Sequence, residues 1–509
     1  MENNHYIAAI DLGSGKVTAA AGSKDPDGRL NVIDVVTRPM QGMSCGEVIN
    51  IEQVTAAVRG AVTQLEEELG IKITEAYAGI SGHDIKCADS SYFVYVSGED
   101  HEICEEDVQR LHESMTSLQP PEGICILDRI PQKYVIDSRE ETKQPVGRFG
   151  QQLEATFNFV LGNRSSLERL QKAFTRLGIT PRRLFTNAQA SAAAVLTEDE
   201  KELGAAVVDI GTGCTDICIW QDNIMRYVAM LPIGSDAINR DIRSIAIPER
   251  FIEKLKTTHG YAVANHIPEE KKTQSIKIKG RTPRENKEIS FYNLAQIIEA
   301  RLLDIVENVL EEIRESGYAD KLGSGIVLTG GGSLLRDIDV LFRERTKYDI
   351  RIGGCCPELL NEASAALAGD PSLSSALGLL LLGSEECGLE PTDTPLTKRE
   401  AAPQPEPEPE PTPKPQQPRQ PAAPKPRPAA PQPAPKPQPA PKPQPAPKPQ
   451  PEPEPDPDHE EDTDINDTPS RPAEQPHPHA RDKKKKGGLF GGLKKIFTDV
   501  FDVVDDDEI

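Results

Sequence analysis

The chain has 509 residues and a formal net charge of −23, and most of its 45 prolines follow Pro395. The part able to fold is therefore roughly the first 385 residues, enough for two or more domains with sizeable cores. The acidity argues against general binding to nucleic acid or to an anionic membrane surface, so contact with an acidic partner must come from a local basic patch.

No apolar run is long enough to cross a membrane, and "SALGLLLLG" reads as a core helix. The nine cysteines show no metal-ligand spacing and the N-terminus carries no signal-peptide pattern, which together favour a reducing cytoplasm. Each cysteine reads most simply as a small buried apolar residue.

In chain order, "YIAAIDLGSGKVTAAAGSK" reads as strand, glycine-rich turn, strand. Val54, Val58, Val62, Leu65 and Leu69 recur at helical spacing and predict a helix over about 51–69. "EAYAGISG" is a short buried strand. Between about Asp84 and Val160, four strand-like pieces ("SYFVYVS", "GICILDRI", "QKYVIDS", "LEATFNFVLG") surround one helix, "CEEDVQRLHESMTSL", the pattern of a compact α+β insertion. A helix, "RSSLERLQKAFTRLGI", precedes "FTNAQASAAAVL", whose small residues suit close packing. The opening pattern then recurs in "AAVVDIGTGCTDICIW". A long amphipathic helix over about 292–316 leads into "SGIVLTGGGSLL".

The duplicated turns carry the chemistry. Gly13 and Gly15, and again Gly211 and Gly213, free backbone N–H groups to bind phosphate oxygens. Ser14, Lys16, Thr212 and Thr215 add hydroxyl donors and a positive charge. Asp11 and Asp209 sit at equivalent strand ends and, facing each other, suit Mg²⁺ held through its waters. One such turn is an ordinary hairpin as often as not; two copies argue against chance. Gly330, Gly331, Gly332 and Ser333 end a buried strand where a base or phosphate can approach the backbone. Glu253 and Lys256 share one helix face, and from the residues alone they read as a solvated ion pair.

These elements, in this order, resemble the actin, sugar-kinase and Hsp70 ATPase superfamily: "DLGSGKV" and "DIGTGCTD" as phosphate turns, "TGGGSLL" as the adenosine loop, and "NAQASAAAVL" and "SALGLLLLG" as connecting helices. The resemblance implies an α/β, two-lobed actin-like fold closing on ATP and Mg²⁺, with Glu253 and Lys256 against ribose and base. Within the superfamily, "AVLTEDEKELG", "IPQKYVIDSREETKQPVG" and the inserted subdomain resemble the bacterial cell-division FtsA family. Expected boundaries are 1–84 and 166–203 for the first lobe, 85–165 for the insertion and 204–385 for the second lobe. Two positions depart from the pattern or fit it loosely. Cys214 stands where a glycine is usual, and Gln189 lies near the place of a water-polarising residue, with an ordinary helix-packing role as the alternative. ATP binding, with at most slow hydrolysis, is the expected activity.

Residues 391–482 are proline-rich, with "PAPKPQ" three times from Pro433 to Gln450, and favour an extended spacer. Beyond four lysines and a two-glycine hinge, residues 487–504 form an amphipathic pattern. Leu489, Phe490, Leu493, Ile496, Phe497, Val500 and Phe501 make its apolar stripe, and Lys494 and Lys495 lie opposite. Such a helix lies in a membrane interface rather than spanning it. Asp505 to Glu508 would be repelled by anionic lipid. By the family resemblance, the chain polymerises, anchors the tubulin-like FtsZ ring to the inner face of the cell membrane at the septum, and recruits later division proteins. The FtsZ contact is expected between about Gly234 and Phe291. The rival is a soluble small-metabolite kinase of the same fold, which predicts substrate-stimulated turnover. An Hsp70-like chaperone would need a folded domain where residues 391–482 cannot supply one.

Overall fold

The computed structural model describes residues 6–391, except residues 83, 99, 279–285, 385–386 and 388. The spacer and the terminal amphipathic segment lie outside the described residues.

Strand β1 (Ile7–Leu12) turns back into β2 (Lys16–Lys24), which pairs with β3 (Leu30–Pro39). Helix α1 (Ile51–Leu69) follows. The Asn50 side chain accepts from the N–H groups of Glu52 and Gln53 at its start, and Gly70, in left-handed conformation, ends it. Its Val54, Val58, Val62 and Leu65 stripe is buried. β4 (Glu75–Ile80) then lies parallel to β1, and β9 (Thr180–Thr186) parallel to β4, giving a five-stranded sheet in the order β9-β4-β1-β2-β3.

Between β4 and β9 runs a separate sheet: β5 (Lys86–Tyr95), α2 (Glu105–Ser117), β6 (Ile124–Ile136), β7 (Glu140–Thr142) and β8 (Gln152–Asn163), in the order β7-β6-β8-β5. The two pieces "GICILDRI" and "QKYVIDS" prove to be one strand. Pro131, which has no N–H for a ladder, lies opposite Phe157 at a register shift, so the chain bulges and continues. Helix α3 (Arg164–Leu177) returns the chain to β9.

After α4 (Asn187–Val195) the first topology repeats. β10 (Ala205–Ile210), β11 (Thr215–Gln221) and β12 (Ile224–Leu231) form an antiparallel meander. Helices α5 (Asp236–Ser244), α6 (Glu249–His259) and α7 (Phe291–Glu315) follow. β13 (Ile326–Thr329), α8 (Ile338–Arg345) and β14 (Ile350–Ile352) complete a sheet in the order β12-β11-β10-β13-β14, with β10, β13 and β14 parallel. Registers match as well: Asp11 lies opposite Thr18, and Asp209 opposite Asp216.

Helix α9 (Ser374–Leu382) packs on α4 and on β1, and α4 packs on β10. Their backbones touch where they cross, because Gly378 has no side chain: a Cβ there would overlap the Ala190 carbonyl. Replacing Gly378 by valine should destabilise the chain by about 3 kcal/mol or more, read as a lower urea midpoint. A midpoint unchanged from the parent would mean that the helices separate freely.

Candidate functional site

The two β-hairpin turns meet tip to tip. A Cβ on Gly15 would strike the Thr212 hydroxyl, and one on Gly213 would come within 2.7 Å of Ser14. Beside them opens a cleft of about 450 Å³. It is lined by both turns, by Glu253 and Lys256 of α6, and by Gly330, Gly331 and Gly332 after β13. Gly330 has φ +80° and crowds the Asp209 carboxylate, so only glycine fits there without strain.

Three buried carboxyls face this space: Asp11, Asp209 and Asp216. Burial raises Asp11 from the ordinary 3.8 to about 7; Lys16 opposes the rise and Asp209 adds to it. Burial, then Asp209, likewise lifts Asp216 to about 7. Asp209 is raised by burial but held back by hydrogen bonds from Ser191 and Ser375 and by Lys16. Among the described residues, Asp11 Oδ1 is buried without a hydrogen-bond partner. Lys16 Nζ donates to the Ser372 carbonyl at 2.6 Å. No cluster of His, Cys, Asp or Glu among the described residues is arranged to ligate a metal directly. An unpartnered carboxylate oxygen beside a second buried carboxylate instead suits a cation that keeps its water shell.

Lys256 and Glu253 form an ion pair at 2.9 Å. It is not the solvated pair that the residues alone imply, since Lys256 is buried in the cleft wall and only Glu253 is exposed. Burial works against the Glu253 carboxylate, but Lys256 and the Asn239 amide outweigh it and hold its pKa below the ordinary value.

Four expected site residues do not line the cleft. Thr215 is fully buried, and its hydroxyl donates to the Ile233 carbonyl. Strand alternation turns its neighbour Asp216 to the cleft instead. Ser333 is buried and donates to the Gly330 carbonyl. Gly213 makes room for Ser14. Gln189 is engaged as a helix cap: its Oε1 accepts from the N–H and hydroxyl of Thr186, and its Nε2 donates to Asp128 at 2.8 Å. That geometry fits the helix-packing alternative. Cys214 does line the cleft.

Residues missed from the sequence include Asp216, Asn187, Ser372 and Ser375, all at the cleft. Asn187 Oδ1 is also buried without a partner among the described residues. An acidic residue inside the apolar run "TDICIW" was the available signal for Asp216.

Two lobes of one duplicated topology, facing each other across a glycine-lined cleft between paired aspartates, define an actin-like fold. The PilM–PilN type IV pilus biogenesis complex shares it, with a TM-score of 0.50 at 15% identity, covering 74% of this chain and 97% of that one. The family described as cell division protein FtsA matches residues 206–378, and the SHS2 domain inserted in FtsA matches residues 82–161. The FtsA of Pseudomonas aeruginosa is 31% identical over 387 residues, 76% of this chain and 91% of that protein. The FtsA of Neisseria meningitidis is 32% identical over 381 residues, 74% of this chain and 90% of that protein. The chain belongs to the FtsA family of bacterial cell-division proteins.

The raised carboxyls give a pH prediction. Between 3.8 and about 7, folded Asp11 and Asp216 keep protons that the unfolded chain has lost. Their contribution to stability therefore falls as pH rises through that window and is level above it. In ligand-free protein, Asp11→Asn should remove part of this slope and stabilise the fold at pH 8 by on the order of 1 kcal/mol. Urea unfolding of parent and variant at pH 5 and pH 8 measures the difference. Parallel slopes would show that Asp11 is ionised throughout.

Proposed function

We propose that this chain is an ATP-dependent scaffold of bacterial division. It closes on ATP and Mg²⁺, assembles with its own copies, and anchors FtsZ to the inner face of the cell membrane at the septum, where later division proteins are recruited. Family membership supports the division role. The observation that carries the nucleotide reading is the convergence, in one cleft, of three glycine turns, Lys16 and the unpartnered Asp11 oxygen.

In this reading the N–H groups of residues 13–16 and 211–213 meet the phosphates. Lys16 leaves the Ser372 carbonyl for a phosphate oxygen. Asp11 and Asp209 are the residues that would hold a hydrated Mg²⁺. Ser333 stays behind the adenosine loop of Gly330, Gly331 and Gly332, where the base approaches bare backbone. Glu253 takes the ribose, and Lys256 fixes Glu253. Mg²⁺, when bound, neutralises the phosphates and so permits both carboxylates to ionise.

The membrane step rests on the sequence of the terminal segment. Its apolar stripe and lysines fit an anionic interface, each nearby lysine adding about 1 kcal/mol. A single such anchor is weak, and many on one polymer bind by avidity. The spacer would set the distance between filament and membrane.

Two measurements test the reading. In flotation with anionic liposomes and ATP–Mg²⁺, the full chain should float and a chain ending at Asp482 should not; if both stay in solution, the anchor is wrong. In calorimetric titration, Asp11→Ala should weaken ATP–Mg²⁺ binding about tenfold or more, ~1.4 kcal/mol. Equal binding by parent and variant would remove Asp11 from the cation site.

A further inference from the structure

Asp209 belongs to the cleft, yet its hydrogen bonds lead elsewhere. Its Oδ2 accepts from the hydroxyl of Ser191 on α4 and from the hydroxyl of Ser375 on α9, the second at 3.0 Å. The two hydroxyl oxygens, converging on one acceptor, lie 2.9 Å apart. Ser191 is fully buried and Ser375 half-buried.

These helices are the crossings between the lobes. The chain leaves the first lobe through α4, which packs on β10 of the second; it returns through α9, which packs on β1 of the first. Ser191 follows Ala190, whose carbonyl touches Gly378, and Ser375 lies one turn before Gly378. The clasp therefore sits one turn from the point where the hinge helices cross. A carboxylate that bridges two separate helices through one oxygen cannot shift without moving both or breaking a charge-assisted hydrogen bond. Its other oxygen, Oδ1, faces Gly330 across the space left by the missing side chain. One oxygen holds the hinge, and the other is turned toward the adenosine loop.

We propose that Ser191 and Ser375 are positioning residues that couple occupancy of the cleft, through Asp209, to the packing of the two hinge helices. The inference rests on the nucleotide reading of the site. A ligand that draws on Asp209 tightens α4 against α9, and the lobes close. Without the hydroxyls the ligand still binds, but the hinge does not register it. The coupling proposed is a population shift between a tighter and a looser packing of α4 against α9, of about tenfold for an ordinary coupled pair of sites.

Hydrogen–deuterium exchange on the full chain, with and without ATP–Mg²⁺, tests this. In the parent, ligand should slow exchange both in the turns (residues 11–16 and 209–214) and in the hinge helices (residues 187–195 and 374–382), by about tenfold in the helices. In Ser191→Ala/Ser375→Ala the turns should remain protected, while the helices change less than about twofold. Ser375→Thr, which keeps the donor, should restore the parental pattern. It also separates loss of the hydroxyl from loss of packing, should the double variant unfold. Helices protected as strongly in the double variant as in the parent would overturn the proposal while leaving the nucleotide reading intact. A parent whose turns gain no protection would instead bring down the nucleotide reading, and the coupling with it.

Discussion

Two buried aspartates, one from each lobe, face a common cleft, and the rest of the structure answers to that arrangement. Carboxylates in a dry site cannot both ionise without opposite charge or donors close by. The fold supplies Lys16 near both, and two hydroxyls on Asp209 alone. Asp11 keeps an oxygen with no partner among the described residues, so the arrangement is incomplete by itself. Bringing the strand ends together also forces the turns into contact. The side chains of Ser14 and Thr212 then need glycine opposite, at Gly213 and Gly15. Electrostatics and sterics thus impose the same sequence pattern on both lobes, which is why the pattern occurs twice.

That duplication is what made the fold legible. Strand, aspartate, glycine turn and strand form a local signal, and so is the helical stripe of α1, whose ends fall at the expected residues. The site was legible to the extent that its groups are backbone or sit at turns. Where a side chain's direction decides, local reading failed. Thr215 and Asp216 are neighbours, but the strand sends one to the Ile233 carbonyl and the other to the cleft. For Gln189 the sequence leaves a water-polarising and a helix-packing role both open; in the structure, the capping box with Thr186 and the distant Asp128 engage its amide. Lys256 reads as solvated because nothing local shows that α6 presses it into the cleft wall. Each of these depends on a partner far along the chain or on the opposite face of a strand.

The inserted sheet shows the same limit on a larger scale. Its residues announce a separate α+β unit, but not that the unit is fastened to the second lobe. β12 is the edge strand of that lobe, and an edge left bare would invite pairing with another chain. Here side chains of the insertion take the place of a strand. Gln132 donates to the Met225 carbonyl at 3.0 Å, and the Val228 N–H donates to the Cys87 sulfur at 3.1 Å. The pairing of β11 with β12 shifts register between Ile219 and Trp220, leaving Arg226 as the extra residue. A bulge re-aims the side chain it carries, and Arg226 reaches the backbone and side-chain carbonyls of Gln132.

The insertion is therefore held by both lobes: covalently by β4 and β9 of the first, and by hydrogen bonds to β12 of the second. β12 continues into residues 232–233, whose carbonyls accept from Cys45 of the first lobe and from Thr215 at the base of the second turn. One strand thus runs from the insertion's attachment to the turn beside Asp209. A rotation of the lobes about the α4–α9 crossing would strain or remake the Gln132 and Cys87 contacts, since these bridge the insertion and the second lobe. Buried polar contacts of this kind exist in discrete arrangements rather than stretching continuously. In this architecture the insertion is joined to the cleft by way of β12 of the second lobe as well as through the first lobe.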